Sequence, residues 1–261
     1  MPTSGAVIRA DHLTFTKSPD GVSLATAVGP HLGAQIVRLD VVRIPAGHTW
    51  THSGADIEEN VAVIFTGAGL ATSGSASAEV ASADTVYAPT GDALSLTAAQ
   101  DTELAAYLWR TTLRAGTTAG TRVRRFNHLF NGETQLKGFT GTGQATAERA
   151  ATMNFLFWPG TGSPQLCLHC GFMEPGEYFN VHVHPNSEEA FMVFEGTGQL
   201  HLDGEWIDAR PGDVLFAPPG VPHGTRHPSQ DLTAPRFATC GGPTPFDPVL
   251  YQRAGVSTEV K

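Results

Sequence analysis

Short runs of alternating or continuous apolar residues, each bounded by glycine, proline or polar turn residues, recur along the whole chain. The clearest runs are residues 36–44, 59–65, 104–109, 165–173 and 189–195. Runs of this length that are rich in β-branched and aromatic residues are typical of strands. Further predicted elements are strands at residues 6–8, 13–15, 23–27, 85–88, 93–96, 154–158, 198–202, 213–217 and 235–240, and a short helix at residues 144–151. We therefore predict an all-β fold.

The two halves of the chain repeat one another at a constant spacing. The segment ADTVYAPTGDAL, which begins at Ala83, matches GDVLFAPPGVPH, which begins at Gly212, at an offset of 129 (212 − 83). FTGAGL at Phe65 and FEGTGQ at Phe194 have the same offset (194 − 65). Two separated matches at one offset indicate an internal duplication. We predict two tandem units, residues 1–125 and residues 126–261.

Candidate metal ligands cluster in the second unit. His182 and His184 are two residues apart, so on a strand both imidazoles face the same side. Glu189 follows after a Pro/Asn/Ser turn, and His223 lies beyond a segment rich in proline and glycine. Three imidazoles and one carboxylate that converge from different strands suit a divalent transition metal. We predict that His182, His184, Glu189 and His223 bind one such ion.

The segments that carry these residues resemble a known family. Residues 176–196, GEYFNVHVHPNSEEAFMVFEG, resemble the first cupin motif, G(X)5HXH(X)3–4E(X)6G. Residues 212–223, GDVLFAPPGVPH, resemble the second motif, G(X)5PXG(X)2H(X)3N, with His227 in place of its final Asn. The resemblance implies two tandem cupin barrels (double-stranded β-helix, or jelly roll), hence a bicupin, with the metal inside the second barrel.

The first unit has lost most of the predicted ligand set. The positions that the offset of 129 equates with the four ligands are Ser53, Ala55, Asn60 and Leu94. A shift of one residue brings His52 into the place of His182, but Leu94 still replaces His223. One histidine does not complete a set of four ligands, so we predict that the first barrel binds no metal.

Composition and charge limit the expected binding partners and the expected cellular compartment. The net charge is −9 and no run of lysine or arginine occurs, so nucleic acid is not an expected partner. No apolar run reaches the roughly 18 residues of a membrane span, and the N-terminus lacks a signal-peptide core, so we expect a cytoplasmic protein without membrane contact. Cys167, Cys170 and Cys240 are too few for a disulfide framework and are expected to be buried thiols. The bicupin resemblance is compatible with a homodimer.

The metal motif resembles that of the three-His-one-Glu cupin dioxygenases. That resemblance implies a metal-dependent oxidoreductase of the dioxygenase type, which acts on a small organic acid, enol or phenol at the second barrel. The ligand types do not decide which metal is bound, because iron, manganese, nickel, cobalt and zinc all accept imidazole and carboxylate ligands. Iron and manganese are favoured by the resemblance.

Two other functions stay open. The layout of the chain and the runs SPDGVS at Ser18 and PHLGA at Pro30 resemble (S)-ureidoglycine aminohydrolases, which are manganese bicupins. This second resemblance implies a non-redox hydrolase or isomerase acting on a small nitrogenous metabolite. The Glu, His, His and Gln ligands of that family map onto Asn180, His182, Glu189 and His223. Only His182 keeps its type, so the layout of that family carries over and its ligand set does not. The third hypothesis is a metal-containing binding protein without catalysis.

Several residues beside the motif are candidates for contacts with the metal centre or the substrate. His169, His201 and Gln199 could face either the cavity or solvent, and His169, in an apolar run, is the strongest candidate for a contact with the metal shell or the substrate. Phe191 would give the cavity an apolar wall if it faces inward. Glu188 precedes a predicted ligand, so its side chain points to the opposite strand face. We predict that Glu188 is a surface carboxylate.

Overall fold

The computed structural model describes residues 4–54, 57–117, 123–131, 135–137 and 150–248, with residues 135–137 as backbone alone. These residues form antiparallel β-sheets with three short 3-10 turns, which confirms the predicted all-β class. The helix predicted at residues 144–151 lies outside the described residues except for its last two positions. In the described part of the chain, no helix is long and apolar enough to cross a membrane.

The first half of the chain contains eleven described strands and two of the 3-10 turns. The strands are β1 (Ala6–Ile8), β2 (Thr16–Lys17), β3 (Ser23–Val28), β4 (Val37–Ile44), β5 (Thr49–His52), β6 (Glu58–Thr66), β7 (Ala68–Ser73), β8 (Ala76–Ala81), β9 (Asp84–Ala88), β10 (Leu94–Ala98) and β11 (Leu104–Thr112). The turns are Ala10–His12 and Pro30–Leu32. The strand predicted at residues 13–15 is wrong, because pairing begins only at Thr16 and this segment packs its apolar side chains on the core without a partner strand.

The second half repeats this series of elements. Its described strands are β12 (Phe126–His128), β13 (Gln135–Lys137), β14 (Thr152–Phe157), β15 (Leu168–Met173), β16 (Tyr178–His182), β17 (Glu188–Glu195), β18 (Gly198–Leu202), β19 (Glu205–Ala209), β20 (Val214–Ala217), β21 (His223–Arg226) and β22 (Phe237–Thr244). The third 3-10 turn is Pro159–Thr161. Gly33 (φ 81°) and Gly162 (φ 99°) end equivalent turns 129 residues apart, in a left-handed conformation that favours glycine.

Each copy is built from one seven-stranded and one four-stranded sheet. The second copy has the orders β1-β20-β17-β22-β15-β14-β13 and β16-β21-β18-β19. The first copy has the equivalent orders β12-β9-β6-β11-β4-β3-β2 and β5-β10-β7-β8. In each copy a buried apolar cluster joins the two sheets, as in a barrel made of two packed sheets. The matching orders support the duplication that was predicted from the sequence.

The leading strand of each copy pairs with the sheet of the other copy. Strand β1 at the start of the chain pairs with β20 of the second copy, with Ala6 opposite Phe216. Strand β12, which precedes the second copy, pairs with β9 of the first copy, with Phe126 opposite Val86. We still propose a division between residues 125 and 126. The first strand of each proposed unit pairs with the sheet of the other unit.

A third apolar cluster lies between the two seven-stranded sheets and joins the copies. Trp109 is fully buried in it and donates a hydrogen bond from Nε1 to the carbonyl oxygen of Ala190, at 2.8 Å. Tyr107 donates its hydroxyl hydrogen to the carbonyl oxygen of Gly212, also at 2.8 Å. The three cysteines are free and buried, as predicted. The first copy therefore packs directly behind the strands that carry the candidate site.

Glu188 is also part of this interface, so the prediction of a surface carboxylate is wrong. Its side chain points to the face opposite Glu189, as predicted, but that face is covered by the first copy. The carboxylate is 3% exposed and accepts backbone N–H groups of Gln35 at 2.7 Å and of Ile36 and Val37 at 2.9 Å. A buried carboxylate is tolerated when several donors satisfy it.

Glu59 makes the reciprocal contact 129 residues earlier in the chain. Its carboxylate accepts the backbone N–H groups of Gln165 at 3.1 Å and Leu166 at 2.6 Å, both in the second copy. It also accepts the hydroxyl hydrogens of Tyr87 at 2.7 Å and Ser163 at 2.9 Å. The two copies are thus joined by a pair of equivalent buried carboxylates, each of which binds the backbone of the other copy.

Candidate metal centre

The four predicted ligands converge inside the second barrel. Their ligand atoms all lie within 4.8 Å of one another. His182 is the last residue of β16, Glu189 is the second residue of β17, and His223 is the first residue of β21. His184 lies beyond the end of β16, so the two histidines do not share a strand, yet both imidazoles reach the same place. The structure therefore brings together all four side chains that the motif spacing selected.

One carboxylate oxygen is the centre of the group. Oε2 of Glu189 lies 2.9 Å from Nε2 of His184, 2.9 Å from Nε2 of His223 and 4.0 Å from Nε2 of His182. The side chain of His182 is 11% exposed, whereas those of His184 and His223 are almost completely buried. Access to the centre is therefore on the side of His182.

The outer nitrogen of each imidazole is held by an acceptor. Nδ1 of His182 donates to the carbonyl oxygen of Asn180 at 2.7 Å, and Nδ1 of His223 donates to the carbonyl oxygen of Val221 at 2.8 Å. The roles follow from the partners, because a carbonyl oxygen can only accept. Nε2 of His223 makes a hydrogen bond to Oε2 of Glu189 at 2.9 Å, and Nε2 of His182 lies 4.0 Å from the same oxygen. Both rings therefore turn the inner nitrogen toward the place that a metal ion would take.

His184 is oriented by a residue that the sequence did not reveal. Its Nδ1 lies 2.9 Å from Oδ2 of Asp247, which follows β22 in a proline-rich segment. A carboxylate paired with the outer nitrogen of a metal-binding histidine is a common supporting contact. The segment around Asp247 carries no motif or periodic pattern, so sequence reasoning had no signal with which to find it.

The arrangement fits a bound cation. Three Nε2 atoms and one carboxylate oxygen meet, and lone pairs that face each other without a shared proton or cation repel. Nε2 of His184 is buried and lies 2.9 Å from the same carboxylate oxygen. A divalent ion bound to these atoms would satisfy all of them at once. The chemistry of the donor set suits iron, manganese, nickel, cobalt or zinc.

Burial and neighbouring charges set the protonation of the site. Burial, together with the charges of His223 and His184, lowers the pKa of His182 to about 3. Burial opposes protonation of His184, but the carboxylates of Asp247 and Glu189 outweigh it and raise the pKa of His184 to about 9. Burial also acts against the charged form of Glu189, yet its contacts with His184 and His223 hold its pKa well below the usual value. A metal ion would therefore take the place of a proton on His184.

A small cavity adjoins the centre. Its volume is about 30 Å³, and the ligands His182, Glu189 and His223 form one side of it. The remaining lining residues are Met153, His169, Phe179, Phe191, Gly224, Thr225, Thr239 and Gly241. Phe191 and Phe179 give the cavity an apolar part of its lining.

His169 faces the cavity, as its apolar surroundings suggested. Nε2 of His169 lies 3.9 Å from Oε1 of Glu189, and burial lowers the pKa of His169 to about 4. Gln199 and His201 do not line this cavity in the described structure: Gln199 bonds Arg226 and Asp208, and His201 packs against Trp206. His169 is thus a neutral imidazole in the lining of the cavity beside the candidate centre.

In the first barrel, a histidine is retained at only one of the four positions that correspond to the candidate ligands. His52 lies opposite Leu94, just as His182 lies opposite His223, which supports the shift of one residue proposed from the sequence. Nε2 of His52 contacts Oε1 of Glu58 at 2.5 Å. Leu94 replaces a ligand with a hydrocarbon side chain, so we still predict that the first barrel binds no metal.

Replacing His52 by alanine tests this prediction. We expect metal content to stay at about one ion per chain, because all four candidate ligands lie in the second barrel. Elemental analysis of the purified variant and of the unaltered protein measures this. His182→Ala serves as the matched variant in the second barrel and should lose most of its metal. A drop in metal content in His52→Ala would mean that the first barrel takes part in binding.

Comparisons with known proteins agree with this geometry. A family model described as "Cupin domain" matches residues 172–234, which contain all four candidate ligands. A 5-nitrosalicylic acid 1,2-dioxygenase from Bradyrhizobium sp. is 34% identical over 64 residues, which are 24% of this chain and 30% of that protein. Polyketide synthase CurC from Streptomyces cyaneus is 33% identical over 81 residues, which are 31% of this chain and 53% of that protein. The chain thus spans about a third to a half of the length of these curated relatives.

Solved structures match over most of the chain. A putative glyoxylate-induced protein from Pseudomonas aeruginosa has a TM-score of 0.71 at 13% identity, covering 92% of this chain and 89% of that chain. A variant of oxalate decarboxylase from Bacillus subtilis has a TM-score of 0.66 at 12% identity, covering 92% of this chain and 77% of that chain. At such identities these likenesses concern the fold. Together with the matched domain, they show that residues 172–234 are similar to a cupin domain and that the chain has a fold of two cupin barrels in tandem.

Proposed function

We propose that this chain is a metal-dependent enzyme whose second barrel catalyses a dioxygenase-type oxidation of a small organic acid, enol or phenol. His182, His184, Glu189 and His223 would hold one divalent ion, with iron or manganese favoured. The observation that carries the proposal is the convergence of three imidazole Nε2 atoms on one carboxylate oxygen, with two of them at 2.9 Å. Four ligands of this kind leave exchangeable positions on a six-coordinate ion, which can polarise a bound oxygen group.

The residues around the ligands have separate roles in this proposal. Phe179, Phe191 and Met153 would exclude water and contact the apolar part of a substrate. His169 and Thr239 would make hydrogen bonds to its polar end. The cavity of about 30 Å³ is lined by aromatic side chains and candidate metal ligands, so an unsaturated molecule with an oxygen-bearing end would have to widen it on binding. The named substrate of the Bradyrhizobium relative has this character, which supports a phenolic or enolic substrate class.

Metal analysis combined with oxygen uptake tests the proposed function. The protein is purified without added metal, its elements are quantified, and oxygen consumption is followed with a panel of salicylate-type phenols, enols and small keto acids. We expect iron or manganese at about one ion per chain, and oxygen uptake that is lost in His182→Ala.

Other outcomes separate the alternatives. Manganese with ammonia release and no oxygen uptake would support a hydrolase of the ureidoglycine aminohydrolase type. A metal that only raises the melting temperature, without turnover of any compound tested, would support a binding protein.

A further inference from the structure

We propose that Glu188 is a positioning residue through which the first barrel holds the metal ligand Glu189 in place. The metal affinity of the second barrel would then depend on a contact made by the first barrel. This inference rests on the proposed metal site. It gives the first barrel a role in the centre without supplying any ligand to it.

Glu188 makes a strong contact with the backbone of the first copy. Its buried carboxylate accepts three consecutive backbone N–H groups, those of residues 35–37, at 2.7, 2.9 and 2.9 Å. Hydrogen bonds to an ionised acceptor are stronger than those between neutral groups. Backbone donors cannot rotate away as side chains can, and Val37 already belongs to the paired strand β4. The carboxylate is therefore fixed relative to the sheet of the first barrel.

Strand β17 connects Glu188 directly to Glu189. They are successive residues of β17, so one side chain contacts the first copy at the interface and the other points into the candidate metal centre. On the far side of Glu189, the carbonyl oxygen of Ala190 accepts the Nε1 hydrogen of Trp109 at 2.8 Å. The first copy thus holds the residue before and the residue after the ligand. A metal centre needs its ligands held to within about 0.5 Å, so this anchoring bears directly on affinity.

The duplication provides a residue in the first barrel, Glu59, with which Glu188 can be compared. Glu59 makes the same type of contact from the first barrel, with the N–H groups of Gln165 and Leu166. The residue after it is Asn60, which occupies the position of Glu189 in a barrel that lacks the His223 equivalent. The contact between a buried glutamate and the backbone of the other copy therefore occurs in both barrels. Only in the second barrel is that glutamate followed in sequence by a candidate metal ligand. Glu59 is the matched control for Glu188.

The test compares Glu188→Gln with Glu59→Gln in the full chain. Cobalt(II) affinity is measured by competition with a chromophoric chelator, and the visible absorption of the cobalt-loaded protein reports ligand geometry. We expect both variants to lower the melting temperature of the metal-free protein. Only Glu188→Gln should weaken cobalt binding, by roughly 10-fold to 100-fold as for other residues that support metal ligands, and shift the absorption bands. Glu188→Asp, which keeps the charge, should recover part of the affinity.

The outcomes separate this inference from the proposed function. If the unaltered protein binds no cobalt, the metal site itself is wrong. If it binds cobalt and Glu188→Gln binds it equally well, or if both Gln variants weaken binding equally, the positioning role is wrong. Should Glu188→Gln fail to fold, Trp109→Phe removes the second anchor beside Glu189 while keeping an aromatic ring. We expect weaker cobalt binding in that variant too, and unchanged affinity would overturn the inference.

Discussion

Glu189→Ala is expected to lower the metal content of the purified protein from about one ion per chain to almost none, because it removes a direct ligand. Glu189 is the anionic member of the set, and its Oε2 atom lies at the centre of the three imidazoles. Without it, the remaining ligands are neutral nitrogens in a buried site, where an unbalanced divalent charge is strongly disfavoured. Elemental analysis after dialysis against metal-free buffer measures the effect.

Glu195→Ala is the control for this experiment. Glu195 also belongs to β17, but its partly exposed carboxylate pairs with Arg236 away from the centre. We expect that variant to keep its metal, which separates loss of a ligand from general disturbance of the strand. Full metal content in Glu189→Ala, alongside a folded circular dichroism spectrum, would contradict the ligand assignment.

Trp109→Ala is expected to lower the free energy of unfolding by about 3–5 kcal/mol, as for other large buried aromatic residues. Trp109 is among the largest fully buried side chains and lies in the apolar cluster between the two barrels. Its removal leaves a cavity there and withdraws the hydrogen bond to Ala190. Urea unfolding followed by far-ultraviolet circular dichroism measures the change.

Trp109→Phe divides this effect into its two parts. Phenylalanine fills most of the space but cannot donate the hydrogen bond, so we expect a smaller loss of about 1–3 kcal/mol. If Trp109→Ala is no less stable than Trp109→Phe, packing between the barrels contributes little at this position. In that case the interface would depend mainly on its polar contacts.

The features that the sequence predicted well are those carried by local patterns. Strands β4, β6 and β17 are continuous apolar runs, and their predicted bounds differ from the observed ones by one residue or less. The convergence of the four candidate ligands followed from motif spacing, and their binding of a metal stays a prediction. The duplication followed from one repeated offset. Each of these signals is contained in a few adjacent residues or in a simple comparison of the chain with itself.

The missed features depend on which distant segments meet. Glu188 has the local appearance of a surface carboxylate, since the donors that satisfy it are about 150 residues away in the chain. Asp247 supports His184 from a segment without a pattern. Strands β5 and β8 are short and partly polar edge strands, so their apolar periodicity is weak. Period-two alternation identifies a strand but not its partner, which is why the exchange of β1 and β12 was not foreseen.

The reciprocal pairing of β1 and β12 has a consequence for dividing the gene. A fragment that ends before Phe126 would keep β1 but leave the edge of β9 uncovered, and the complementary fragment would lack the strand that covers β20. Unpaired edges of this kind promote aggregation. Fragments produced separately should therefore be insoluble, whereas co-produced fragments should rescue one another and co-purify. The single polypeptide behaves in this respect like two interlocked subunits that have been fused.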